Sequence, residues 1–219
     1  MNFGHLARYY HLLEVVFIGR GLLLARTAQL ERLAQGRPNQ HALMVGEGNG
    51  SFLLAFLEQF PEVRVTVNDL SPEMLEVARA RLRDSGVDAS RVEFIAGDIR
   101  DVERPANGYD LIATHFFFDN FDDAVAAEMV RIVESLSATE AQWLVSDFCM
   151  PEGGWRALRA KVWLSLLYGF FGRFAGLKTR QLPATESHLS AGRFIRTNRK
   201  TFCGGMLYSS RYEAVPARE

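Results

Sequence analysis

Short apolar runs alternate with amphipathic stretches over most of the chain. The runs at 42–45, 63–67, 92–96, 109–114 and 142–148 predict five strands, several of them apolar enough for a parallel sheet covered on both faces. Helical patterns fill the gaps at 51–59, 71–83 and 121–135, and Ser71-Pro72-Glu73 supplies a cap, a first-position proline and an acidic first turn. Near the start, Leu6, Tyr9, Tyr10, Leu13 and Phe17 recur at helical spacing, and the pattern resumes from Arg20 to Ala34. A long aromatic amphipathic stretch follows at 155–175, broken at Gly169 or Gly172. Runs at 194–202 and 206–212 flank Cys203-Gly204-Gly205 as a hairpin. The expected fold is one α/β domain: a doubly wound, mostly parallel, seven-stranded sheet ending in an antiparallel hairpin. Its parts are a helical cap (1–38), a core (40–150), a helical insertion (151–190) and the hairpin (193–214).

Composition narrows the class. With 219 residues, 48% hydrophobic and 23% charged, the chain suits one soluble core. Cys149 and Cys203 form no CxxC pair and have no histidine cluster beside them, so free thiols in a reducing cytoplasm are expected, with no metal site. Arg8, Glu14 and Arg20 interrupt the N-terminal apolar residues, unlike a signal peptide, and no run is long enough to span a bilayer. The net charge of −1 hides an asymmetry: residues 41–150 hold 8 basic and 20 acidic side chains, residues 151–219 hold 12 and 4. The acidic part reads as a solvated face, and the basic part can meet an anionic group or a membrane surface. A near-neutral balance argues against a dedicated nucleic-acid binder.

The strongest local signal is Gly46-Glu47-Gly48-Asn49-Gly50, between a strand and a helix. Alternate glycines permit a tight turn and let a ligand lie against bare backbone. A dinucleotide loop needs glycine where Ser51 stands. Asp69 ends the second strand, where a carboxylate can accept bonds from ribose hydroxyls, and Asp98 ends the third, where it can meet an exocyclic amine. Loops at the carboxyl ends of adjacent strands converge on one crevice. Gly46–Gly50, Asp69-Leu70-Ser71-Pro72-Glu73-Met74-Leu75 and Gly97-Asp98 resemble, in order and spacing, the first three motifs of class I S-adenosylmethionine-dependent methyltransferases, nearest to the ubiquinone/menaquinone methyltransferase-like branch. The resemblance covers roughly residues 40–150. It implies S-adenosylmethionine as cofactor, with Gly46, Glu47, Gly48, Asn49 and Gly50 at its methionine part, Asp69 at the ribose and Asp98 at the adenine. Leu70, Met74 and Ile99 flank these contacts. The family carries an acidic residue where this chain has Met44, and Glu47 is expected to stand in for it. Tyr9, Tyr10 and Arg20 are candidates for the cofactor carboxylate.

The fourth strand runs into Thr114-His115-Phe116-Phe117-Phe118-Asp119-Asn120. Methyl displacement needs alignment and exclusion of water, which aromatic walls provide. His115, also beside the cofactor, is the candidate base, and Asp119 or Asp147 orients it or the substrate. Phe116, Phe117, Trp155 and Tyr168 are the candidate acceptor contacts, although three successive phenylalanines cannot all face one way. The resemblance implies that the insertion covers a small lipophilic or aromatic acceptor. As a basic amphipathic helix, 155–175 also suits a membrane surface or a homodimer contact. Two other functions share this fold: a non-catalytic binding module and an aminopropyl transferase.

Overall fold

A computed structural model describes residues 19–34, 40–151, 153–155 and 182–215. Its elements are α1 (Gly19–Thr27), α2 (Leu30–Ala34), β1 (His41–Val45), α3 (Ser51–Gln59), β2 (Arg64–Asp69), α4 (Pro72–Ser85), β3 (Val92–Ala96), β4 (Tyr109–His115), α5 (Asp123–Leu136), β5 (Ser137–Phe148), α6 (Thr185–Ala191), β6 (Phe194–Phe202) and β7 (Leu207–Ala214). Short 3₁₀ turns lie at Ile99–Asp101 and Phe118–Asn120. The seven-stranded sheet has the order β3-β2-β1-β4-β5-β7-β6. The first five strands run parallel, and β7 is antiparallel to both β5 and β6. The expected architecture is therefore present.

Strand alternation divides the core into two layers. Leu43 and Val45 of β1 join Ile112, Trp143, Val145 and the apolar face of α5. Ala42 and Met44 join Phe52, Leu53 and Phe56 of α3 with Leu75 and Leu82 of α4. Successive strand residues point to opposite faces, and β1 is apolar on both. The order reverses between β1 and β4, which places the crevice beside the carboxyl ends of β1, β2 and β4.

The N-terminal helices differ from the sequence expectation: α1 ends at Thr27 and α2 begins at Leu30. Tertiary bonds account for the break, since the Gln29 side-chain amide donates to the Ser209 carbonyl (3.0 Å) and Lys200 Nζ donates to the Ala28 carbonyl (3.0 Å). Leu22 and Ala25 pack with Phe116 and Leu207, which fixes α1 over the ends of β4 and β7. The helix α6 was not anticipated. Its His188 pairs with Asp123 of α5 at 2.9 Å. Tyr9, Tyr10, Tyr168 and most of the 155–175 stretch lie outside the described residues.

Candidate active site

The three loops singled out in the sequence meet on one rim. Parallel pairing of β1 with β2 and of β2 with β3 puts Gly46, Asp69 and Gly97 at the same sheet edge. Hydrogen bonds join them: Gly46 N donates to the Asn68 carbonyl (2.8 Å), Gly97 N to the Asp69 carbonyl (3.0 Å), and Asn68 Nδ2 to the Gly97 carbonyl (3.0 Å). Asp69 Oδ2 accepts from Gly48 N (3.0 Å) and Oδ1 from Ser71 N (2.9 Å). Each carboxylate oxygen retains a further lone pair for a hydroxyl. Burial pushes the Asp69 carboxyl upward, against the lowering by those two N–H groups.

The rim fits a nucleoside. Leu70 is 60% exposed directly beside Asp69, an apolar face next to ribose-binding chemistry. Gly48 has φ +68, and a Cβ there would stand 3.5 Å from the Met74 methyl, so backbone lies open where a side chain would intrude. Asp98 holds its own turn: Oδ1 accepts from Arg100 N (2.9 Å), and Oδ2 pairs with the Arg100 guanidinium at 2.8 Å. Its side chain keeps 37% exposure, which leaves it available to an amine. The Ile99 side chain is in the core, 4% exposed. Asn49 is engaged in the turn, its Oδ1 accepting from Ser51 N (3.1 Å).

Glu47 caps the helix that follows its loop. The residue before α3 is Gly50, which has no side chain to cap the helix. Glu47 Oε1 replaces the cap, accepting from Phe52 N (3.1 Å) and Leu53 N (3.0 Å). Met44 is 1% exposed in the layer under α3, so it is a core residue. Burial pushes Glu47 up to about 7, partly offset by the nearby Arg26 charge. The folded state therefore holds this proton more tightly than the unfolded chain. Stability from the neutral form is present in acid and is lost as pH rises through about 7. Glu47→Gln keeps the acceptor and removes the charge. It is expected to raise unfolding stability at pH 8 by about 1–3 kcal/mol and to change little at pH 5, measured by urea denaturation.

Arg26 was missed in the sequence. It is 4% exposed, donates to Ser51 Oγ (2.9 Å), and places its guanidinium 5.4 Å from the Phe116 ring centre. Arg20, the arginine expected there, is exposed. The periodicity of α1 marks both residues as polar positions; only the docking of α1 beside α3 distinguishes them.

His115 ends β4 and is 4% exposed, its ring 4.3 Å from that of Phe52. Neither ring nitrogen has a hydrogen-bond partner among the described residues. Burial, with Arg26 nearby, holds the imidazole well below its usual range, so it is neutral at physiological pH. Phe116 follows with φ +55, an uncommon conformation for a bulky residue and a mark of a constrained site. The three phenylalanines separate as expected. Phe116 is near-buried beside Phe148, Phe117 is half-buried with Cδ2 2.9 Å from a notional Gly46 Cβ, and Phe118 is in the core. Trp155 is 66% exposed. Asp119 is half-buried near Asp147, and burial raises both carboxyls, Asp147 further through the Asp119 charge.

The fold and rim define a nucleoside-binding α/β domain, and comparison with known proteins specifies it. Residues 42–136 match the family described as a methyltransferase domain. The demethylmenaquinone methyltransferase of Deinococcus radiodurans is 31% identical over 134 residues, 60% of this chain and 54% of that protein. A ubiquinone/menaquinone biosynthesis C-methyltransferase of Paracoccus denitrificans is 30% identical over 118 residues, 54% of this chain and 46% of that protein. The chain thus spans about half the length of these curated relatives. Among solved structures, the Synechocystis magnesium protoporphyrin IX methyltransferase with bound SAH has TM-score 0.65 at 18% identity, covering 90% of this chain and 83% of that one. The mitomycin 7-O-methyltransferase has TM-score 0.64 at 20% identity, over 86% and 53%. Over residues 42–136 the chain is thus similar to a methyltransferase domain, and its fold is shared with these solved methyltransferases.

Proposed function

We propose that this chain transfers a methyl group to a small lipophilic or aromatic acceptor, with the adenosyl part of S-adenosylmethionine lying across Gly48, Asp69 and Asp98. The carrying observation is the convergence of these three loops on one rim beside the exposed Leu70. When bound, the cofactor supplies a methyl group on a sulfonium, an electrophile that needs no metal or general acid. Asp69 binds ribose hydroxyls, Leu70 covers a base face, and Arg26 offers its positive charge at the methionine end. His115, neutral and unpartnered at both nitrogens, takes the proton of an acceptor hydroxyl or amine. Phe116 and Phe117 exclude water from that step. The quinone-pathway names of two relatives support a lipophilic acceptor.

Calorimetric titration with S-adenosylhomocysteine tests the reading. Cofactor-free wild-type protein is expected to bind it, and Asp69→Ala to weaken binding by about 1–3 kcal/mol, the range for hydrogen bonds to a charged group. Asp69→Asn keeps one carbonyl acceptor and should lose less. Absence of binding heat with wild type, or equal affinity in Asp69→Ala, overturns the assignment.

A further inference from the structure

A second group of buried polar atoms lies at the far end of β5. Asp147 and Tyr208 are register partners on the antiparallel strands β5 and β7, so their side chains stand together on one face of the sheet. Both residues are 3% exposed. Asp147 Oδ1 accepts from Phe148 N at 2.8 Å, while Asp147 Oδ2 and Tyr208 Oη have no hydrogen-bond partner among the described residues. Buried polar atoms left unpaired cost about 1–3 kcal/mol each, which is sustained where a ligand completes them. Both residues line a cleft of about 280 Å³ that is bounded by Phe148, Met150 and the start of α6.

The surroundings determine what the pair can bind. Glu186, also on the cleft, is already satisfied by Arg196 (2.7 Å), Arg199 (3.1 Å) and Ser210 Oγ (3.3 Å). Cys149 Sγ donates to the Gly205 carbonyl at 3.0 Å. Asp147 has no ion pair among the described residues, and the carboxyl of Asp119 is its charged neighbour. With the Phe148 N–H on Oδ1, a proton held by this acid sits on Oδ2, and the phenol of Tyr208 lines the same cleft. We propose that Asp147 and Tyr208 form a two-donor seat for a carbonyl or phenolic oxygen of the methyl acceptor. Burial and the Asp119 charge both favour the protonated acid, and Tyr208 is held neutral by burial and by Asp147. The apolar rim then receives the rest of a conjugated or aromatic carbonyl compound. This inference rests on the methyltransferase reading and extends it by naming the acceptor group that is recognised.

The test uses acetophenone as a carbonyl probe and benzylamine as a cationic one, with no cofactor present. Binding is read by ligand-observed NMR and the bound carbonyl by its infrared stretch. Acetophenone is expected to bind wild type, with a stretch at lower frequency than in the Tyr208→Phe complex. Tyr208→Phe and Asp147→Leu should each weaken it by about 5- to 10-fold, the loss of one neutral hydrogen bond. Asp147→Asn, whose amide still donates, should stay within about threefold. The proposal is overturned if acetophenone does not bind wild type, if Tyr208→Phe changes neither affinity nor stretch, or if benzylamine binds and Asp147→Asn abolishes it. That last result would make Asp147 an ionised acceptor for an ammonium group. S-adenosylhomocysteine titrations of the same proteins report the cofactor rim separately. A failure there sinks the methyltransferase reading without depending on the probe result.

Discussion

Gly50→Ala is expected to destabilise the domain by about 2–5 kcal/mol and to abolish S-adenosylhomocysteine binding in whatever protein stays folded. Gly50 has φ +75, a left-handed conformation that costs a residue with a Cβ about 1–2 kcal/mol. The added methyl would also stand 2.8 Å from both Cα and Cβ of Ala78. Ala78 is fully buried in the middle of α4, so the contact is with a helix backbone that cannot rotate aside. Relieving it means separating α3 from α4, at the about 1–3 kcal/mol typical of overpacking. The same movement displaces the glycine loop from Arg81, whose Nε donates to the Asn49 carbonyl at 2.8 Å. Gly86→Ala is the control: φ is +71, but nothing lies within 4 Å of its notional Cβ, so only the conformational cost applies. Chemical denaturation of both variants separates strain from steric conflict. Equal losses in the two would show that the α3–α4 contact is not what requires Gly50.

The contrast between those glycines indicates how much of this site was legible in the sequence. The loop at Gly46–Gly50, the carboxylates ending β2 and β3, and the alternation of strands and helices are local signals, each a few residues long. The sheet brings them together because parallel strands put every such loop at one edge. The helix at Ser51–Gln59 and the strands at Val92–Ala96 and Phe194–Phe202 have the bounds that the pattern predicts. Strand β5 begins earlier than its apolar run, since Ser137–Ala141 includes exposed polar positions that pairing alone makes extended. Arg26 and the Asp147–Tyr208 pair depend on long-range packing and register, whereas the Glu47 cap depends on how its own loop turns back onto α3. Tyr208 stands opposite Asp147 through the β5–β7 register, which Cys149 N, donating to the Met206 carbonyl at 2.9 Å, continues beyond the strand end. A one-residue slip would put Tyr208 on the other face, and composition alone does not reveal that register.

His115→Ala is expected to lower turnover by 10²–10⁴-fold once an acceptor is in hand, the range for removing a positioned general base. A neutral imidazole has one donor and one acceptor, and in His115 both are buried without a partner. Packing against Phe52 explains the ring's position but satisfies neither nitrogen. The chain tolerates that cost at the carboxyl end of β4, beside a phenylalanine held at φ +55, where strain accompanies function. An acceptor hydroxyl donating to the free nitrogen would remove the penalty and place its proton where it is to go. His115→Gln separates a base from a mere positioning group, because glutamine hydrogen-bonds but does not take the proton. A base predicts that Gln loses about as much turnover as Ala, whereas positioning predicts that Gln recovers most of it. The pH dependence adds an independent check. Burial holds the folded imidazole well below 6.5, so its base form is complete at neutral pH and the rate should fall from this group only in acid. The unfolded histidine, at its ordinary value, binds the proton sooner. Stability from His115 is therefore full above about 6.5 and is lost as pH falls below it. An acid limb of turnover near pH 6.5 or above that disappears in His115→Gln would mean the imidazole titrates as an exposed histidine does, and the buried-base assignment would fail.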